Sequence, residues 1–312
     1  MQRFLVTGGA GFIGSNITRR LVEDGHFVRV VDNLSTGKKA NLAGVLDKIE
    51  FIEADMGDPD VARDVMQGID IVLHQGALPS VPRSIEDPAA THRHCVDATF
   101  TLLMAARQAG IKRFVYAASS SAYGDSATLP KVESMPPNPL SPYAVGKLAG
   151  EYYCAVFSQV YGLQTISLRY FNVFGPNQDP TSQYAAAIPA FVTAILKGQR
   201  PTVYGDGEQT RDFTYIDDVV HANILAAQAP KTSGEVVNIA CGQAISINRI
   251  ISLINQILGT DIRPIYAPPR PGDVRHSLAD ISRARELLGY KPIVMFEQGL
   301  RQAIEWYRNN LL

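Results

Sequence analysis

A strand that runs straight into a cluster of glycines constrains this chain more than any other feature. Arg3–Thr7 is a short apolar run. TGGAGFIG follows, with Gly8, Gly11 and Gly14 at three-residue spacing and Gly9 offering a second register. The stretch Phe12–Glu23 then carries Ile13, Ile17 and Leu21 at helical spacing. A turn this abrupt needs residues without a Cβ, and strand, glycine turn and helix together open a parallel sheet. The pattern continues through the first half. Apolar runs at Phe27–Val31, Ile49–Glu53, Ile69–His74, Phe114–Ala118 and Thr165–Arg169 alternate with helical stretches, Asp97–Ala109 among them. Ser141-Pro142 starts another helix, to about Tyr161, because Ser suits the N-cap and Pro the first helical position. Nearly continuous apolar strands belong to a sheet covered on both faces. The expected fold class is α/β, a doubly wound parallel sheet.

After Asn172 the loops lengthen and gather Pro and Gly, as in GPNQDP and APPRPGD. Ile216–Ala227 and Val236–Ala240 nevertheless read again as helix and strand. Interleaving is therefore expected, with residues 1–170 plus 213–241 forming the sheet domain and 171–212 plus 242–312 a smaller α/β domain. Asn33–Gly44 reads as a polar loop. The 312 residues are 46% hydrophobic, enough for a sizeable core. With 29 basic and 30 acidic side chains, the net charge of -1 leaves no footprint for nucleic acid or an anionic membrane. No apolar run approaches the ~20 residues that span a bilayer, and no signal peptide is expected. Cys95, Cys154 and Cys241 are widely spaced, which fits buried, reduced thiols in a cytoplasmic protein. His92-x-His94 has no ligand cluster near it, so no metal site is expected.

The glycine turn also has a chemical meaning. It lets backbone approach a pyrophosphate while the helix N-terminus faces the negative charge. Gly8, Gly11, Phe12, Ile13 and Gly14 are thus candidate dinucleotide contacts. Asp32 ends the second strand, with Asn33 beside it; a carboxylate there accepts from both ribose hydroxyls and repels a 2′-phosphate, favouring NAD over NADP. Lys38 and Lys39 pull the other way. Asp55-Met56, after the third strand, could read an adenine edge. In His74-Gln75-Gly76-Ala77, Gln75 and Ala77 could let a cofactor lie against the backbone.

SPYAVGK places Tyr143 and Lys147 four residues apart, on one helix face. An ammonium beside a phenol favours the phenolate, and the first helical turn adds its dipole. An unperturbed tyrosine, with a pKa of about 10, needs that help to act as a base near neutrality. Ser119, Ser120 and Ser121 follow the fifth strand; a hydroxyl there either bridges Tyr143 and a substrate oxygen or caps a turn. The pair and the glycine turn together make hydride transfer the leading reading.

TGGAGFIGSN, VPRSIEDP, SPYAVGK, RYFNVFGP, YGDGEQTRDFTYIDD and PRPGDVRHSLAD follow one another over nearly the whole chain. They resemble the extended short-chain dehydrogenase/reductase family, and within it the UDP-hexose 4-epimerases. The resemblance implies a Rossmann domain with NAD held tightly and recycled in place. It matches Ser119, Tyr143 and Lys147 to the catalytic serine, tyrosine and lysine, with Ser120 beside the substrate. It further implies that Asn172 holds a phosphate, Arg211 and Arg270 grip the diphosphate, Asp273 binds the uridine ribose, and Tyr204 and the backbone near Ala187 frame the uracil. The implied reaction is reversible C4 epimerisation of a UDP-hexose through a 4-keto sugar, with a UDP-glucuronate 4-epimerase or another NAD-dependent nucleotide-sugar enzyme as the alternative. A homodimer through helices near 97–109 and 143–161 is implied too, with Phe100, Leu103, Tyr152 and Phe157 on them.

Dehydratases of this family carry acids where this chain has Ser120, Ser121 and Ala122. With no acid to expel water, dehydration is disfavoured. Two departures stand out: Cys95 replaces a family Asn, and HQGA replaces His-x-Ala-Ala. The resemblance further implies that Ser277, seven residues after Arg270, falls on the wall of the sugar pocket, where relatives restricted to glucose and galactose carry Tyr. The smaller side chain leaves volume for a 2-acetamido group, so UDP-GlcNAc and UDP-GalNAc are expected substrates. His276 reads as exposed or lining the substrate loop, and Trp306 as packing.

Overall fold

In a computed structural model, residues 1–180, 186–269 and 274–311 are described. Arg270 and Asp273, two of the expected substrate contacts, lie outside them. The strands β1 (Arg3–Thr7), β2 (Phe27–Asp32), β3 (Glu50–Glu53), β4 (Ile71–His74), β5 (Arg113–Ser119) and β6 (Thr165–Tyr170), together with Glu235–Ile239, form one seven-stranded sheet. Its order is Glu235–Ile239, β6, β5, β4, β1, β2, β3, with every pairing parallel. The chain therefore winds outward from β1 to β3, returns, and winds the other way from β4. The crevice between the carboxyl ends of β1 and β4 is the switch point where such sheets bind ligands.

Helices cover both faces. On one side α1 (Phe12–Glu23) and Ile216–Gln228 bury Ile17, Leu21, Val219 and Ala222 against the sheet. On the other, α2 (Pro59–Val65), α5 (Ala98–Gln108) and α6 (Pro142–Tyr161) bury Val65, Leu102, Cys154 and Phe157. Between α2 and α5 come two short helices, α3 (Val81–Glu86) and α4 (Pro88–His92), each opened by a Pro and capped by Ser80 and Asp87 respectively. A π-helical turn, Arg93–Asp97, joins α4 to α5, so the helix expected to start at Asp97 is the far part of a longer helical run from Pro88. Sequence periodicity missed α2 to α4 because each spans two turns or fewer.

α6 is held down by an internal ion pair. Glu151 on the helix meets Arg169 on β6 through two bonds, of 2.9 and 2.7 Å, with both side chains nearly inaccessible. Gly150 lets the helix settle onto Tyr116, whose hydroxyl would collide with a Cβ there. In the second half, small two-stranded sheets pair Thr202–Tyr204 with Ile265–Ala267 and Thr210–Asp212 with Ala244–Ser246. The buried Asp212 carboxylate accepts from the N–H groups of Cys241, Gly242 and Ala279 at 3.0–3.1 Å, tying these segments to the end of the main sheet. Burial raises its pKa to about 6.

Candidate active site

The turn after β1 fits a dinucleotide on geometric grounds. Gly8 adopts φ +63°, and a Cβ on it would lie 2.7 Å from the Gly76 Cα. A Cβ on Gly14 would fall on the Gly8 carbonyl oxygen. Glycine is thus required where backbone crosses backbone at the switch point. The resulting cavity, of about 840 Å³, is lined by Gly8, Gly11, Phe12, Ile13, Gly14, Asp32, Asn33, Met56, Gln75 and Ala77 from the expected cofactor set, and by Tyr143 and Lys147 at its other end. Asp55 is the exception. It is absent from the lining, and its carboxylate accepts from Gly57 N–H at 2.8 Å and Asn33 Nδ2 at 3.4 Å, because an Asx turn draws it back onto its own loop. Asp32 accepts from the backbone N–H of Ala10 and Leu34, which fixes its carboxylate at the end of β2. Lys38 and Lys39 pair with Asp179 and Glu53 at 2.6 and 2.7 Å, so neither ammonium is committed to a 2′-phosphate.

Beneath the turn lies a buried hydrogen-bonded chain. The Thr99 hydroxyl donates to the Cys95 carbonyl (2.7 Å), so it must accept from His74 Nε2–H (2.9 Å). His74 Nδ1 is then an acceptor, taking the Thr7 hydroxyl proton (2.7 Å), and the Thr7 oxygen accepts from Gly76 N–H (3.1 Å). Burial, and secondarily the Lys147 charge, depresses the imidazole pKa to about 3. Gln75 is held in turn by Asn223 (3.0 Å) and Tyr170 (3.1 Å), which gives the HQGA departure its own polar support.

At the far end Tyr143 is the second residue of α6, with Ser141 as the cap accepting from Ala144 N–H. The Ser119 hydroxyl neighbours the Tyr143 phenol and acts to lower its pKa. Ser119 Oγ already accepts from both the N–H and the Oγ–H of Ser121, at 3.2 and 2.9 Å, so its own proton is free for the Tyr143 oxygen. Ser119 therefore both caps its turn and reaches the phenol. Ser120 starts the same turn, and neither it nor Ser119 is among the residues that line the cavity.

The electrostatics correct one expectation. Burial raises the Tyr143 pKa, Cys95 adds to the rise, and the Ser119 hydroxyl opposes it. Lys147 does not offset this: its Nζ donates to the Ala117 carbonyl (2.8 Å) and stands over the Tyr116 ring, and its own pKa is lowered by burial. Four-residue spacing puts the ammonium on the same helix face, but packing aims it at the sheet. Cys95 sits under α6, where a Cβ on Gly146 would come within 3.0 Å of its Cβ. All three cysteines are free and buried.

Among the described residues, the expected substrate contacts Asn172, Ala187, Tyr204, Arg211 and Ser277 are not part of the lining of this cavity. Asn172, at φ +32°, donates from Nδ2 to the Asp212 carbonyl (3.1 Å). Arg211 donates to the carbonyls of Thr210 and Arg275. Ser277, half-buried, donates its N–H to the Thr210 carbonyl (3.0 Å). His276 is exposed, its Nδ1 3.0 Å from the Thr210 hydroxyl. Tyr204 ends its strand, 37% exposed, and Ala187 begins a helix whose preceding residue, Ala186, does line the cavity. Trp306, expected only to pack, lines the cavity as well. Sequence reading also passed over Ser80 and Asn177, cavity-lining residues at φ +118° and +69°; only tertiary structure marks them. Among the described residues no group of three His, Cys, Asp or Glu side chains could hold a metal, and no helix is long and apolar enough to cross a membrane.

Residues 4–240 match the model of the NAD dependent epimerase/dehydratase family. The UDP-glucose 4-epimerase of Mycolicibacterium smegmatis is 40% identical over 312 residues, covering 99% of each chain. Among solved structures, the UDP-N-acetylglucosamine 4-epimerase from Methanobrevibacter ruminantium M1, in complex with UDP-N-acetylmuramic acid, superposes with a TM-score of 0.95 at 41% identity, covering 99% of this chain and 98% of that one. The UDP-glucuronic acid 4-epimerase from Bacillus cereus, in complex with UDP-glucuronic acid and NAD, gives 0.91 at 33% identity, covering 99% of each.

Proposed function

Because the chain belongs to the NAD-dependent epimerase/dehydratase family, we propose that it is a UDP-sugar 4-epimerase acting on UDP-hexoses, UDP-GlcNAc and UDP-GalNAc among them. One observation carries the reading: Tyr143, with Ser119 near enough to lower its pKa, lines the same cavity as the glycine turn. The glycine cradle and Asp32 suit NAD, which when bound supplies reversible hydride acceptance at the sugar C4. We assign residues 1–170 with 213–241 to the cofactor and 171–212 with 242–312 to the nucleotide sugar.

Tyr143 serves as the base in its phenolate form, taking the O4 proton and later returning it. Ser119, beside it, stabilises that phenolate before the proton is taken, against the burial that raises the phenol pKa. Lys147 supplies an amine to the cavity wall, held by the Ala117 carbonyl. Asn172, Arg211 and Arg270 hold the diphosphate, Asp273 the ribose, and Tyr204 and Ala187 the uracil. Arg suits the phosphate task because its planar fork offers paired donors. A firm nucleotide anchor lets the 4-keto sugar present its second face without leaving. Ser277 leaves space on the sugar side, and the 41% identical N-acetylglucosamine epimerase supports the larger substrate. Of the four residues expected on the dimer helices, Leu103 and Phe157 are buried in the core, whereas Phe100 and Tyr152 are exposed and, with Val156 and Val160, support a homodimer across α5 and α6.

The test is turnover of UDP-Glc, UDP-Gal, UDP-GlcNAc and UDP-GalNAc by purified protein, with UDP-glucuronate as a fifth arm. Conversion of the N-acetyl sugars, lost in Ser277→Tyr while UDP-Glc turnover persists, is expected. UDP-Glc turnover without UDP-GlcNAc turnover would overturn the substrate assignment, and conversion of UDP-glucuronate alone would establish the alternative enzyme.

A further inference from the structure

We propose that Lys38 and Asp179 form an electrostatic latch across the dinucleotide cavity and slow the escape of NAD; the inference rests on the reading of that cavity as the NAD site. The two residues come from opposite walls. Lys38 lies in the loop after β2, and Asp179 in the GPNQDP loop after Val173–Phe174. Their side chains meet at 2.6 Å, and both line the cavity together with the glycine turn.

Each arm of the latch is anchored to the start of α1. On one side, Lys38 N–H and Asn41 Nδ2 both donate to the Ala10 carbonyl at 2.9 Å. On the other, Asn16 Nδ2 donates to the Pro176 carbonyl (3.1 Å) and Asn177 Nδ2 to Ser15 Oγ (3.3 Å). Tyr307 adds a bond to the Gln178 carbonyl (3.1 Å). The ion pair closes these two anchored arms into a ring around the helix N-terminus, the place where a pyrophosphate is held.

The charges suit retention. Paired with Lys38, the Asp179 carboxylate presents little net charge to a pyrophosphate; unpaired, it would repel one. The ion pair is also easily opened, since its side chains are 56% and 36% exposed. An exposed pair of this kind changes a rate by about two- to fivefold. A coenzyme that ends each turnover in its starting redox state has no need to leave, so a modest barrier to escape is useful here and would be a handicap in a net dehydrogenase.

The experiment measures NAD release from the loaded protein, trapped as NADH by excess alcohol dehydrogenase and ethanol. Lys38→Gln and Asp179→Asn should each release NAD about two- to fivefold faster than the parent. Lys38→Glu combined with Asp179→Lys should recover part of the loss, and added salt should speed the parent more than either single variant. Unchanged release in both single variants, with parental thermal midpoints, would overturn the latch. So would faster release in Lys38→Gln with slower or unchanged release in Asp179→Asn, which would mean that Lys38 grips the phosphates itself. A parent that fails to retain added NAD would instead overturn the reading of the cavity.

Discussion

Protonation of one buried histidine should set the acid side of this protein's stability. His74 is inaccessible, flanked by the rings of Phe114 and Tyr116, and its Nδ1 must be an acceptor for the Thr7 hydroxyl. Burial holds its folded pKa near 3, against 6.5 for an ordinary histidine. The folded value is depressed, so the unfolded chain binds the proton first. The contribution is fully present above pH 6.5 and is lost as pH falls toward 3. At 1.36 kcal/mol per pH unit, linkage takes away about 2 kcal/mol by pH 5 and about 3 kcal/mol by pH 4. Urea-unfolding free energies of the parent and of His74→Asn, measured at pH 7.5 and pH 5, isolate this effect. The variant should be less stable at pH 7.5, since Thr99 loses a donor, yet lose about 2 kcal/mol less on acidification. All other titrating groups are common to both proteins and cancel in the comparison. An identical acid loss in the two proteins, or a His74 resonance titrating near its ordinary value by NMR, would refute the reasoning.

Three more outcomes follow from the geometry. Tyr143→Phe should lower kcat by about 10²–10⁴-fold while leaving NAD binding in place, as a rate assay with a separate NAD determination would show; a near-normal kcat would remove the tyrosine from the mechanism. Glu151→Ala strands the Arg169 guanidinium in the core and should cost about 3–5 kcal/mol, read as a lower urea midpoint, and a loss below about 1 kcal/mol would mean that water reaches the site. Gly14→Ala forces a Cβ onto the Gly8 carbonyl and should abolish NAD retention on gel filtration; a variant that keeps NAD would show that the turn can yield.

Much of this protein is legible because its strongest signals are local. The strand, glycine turn and helix from Arg3 to Glu23 and the helix from Pro142 to Tyr161 rest on periodicity, caps and Cβ sterics within a few residues, and the structure places them where the sequence does. The direction of Lys147 was not legible in the same way. Spacing sets its helix face, but whether the ammonium meets the phenol or the Ala117 carbonyl depends on how α6 packs on β5. Asp55 is another such case, its carboxylate captured by its own turn.

Sequence by itself determined the α/β class, the switch-point crevice and the free state of the cysteines, because residue type and short spacing decide these. Tertiary structure decided the direction in which burial shifts the His74 and Asp212 pKa values, the pairing of Lys38 with Asp179 across 141 residues, and the place of Trp306 in the cavity wall. Desolvation and long-range contact are properties of the assembled chain, and they have no counterpart in the order of its residues.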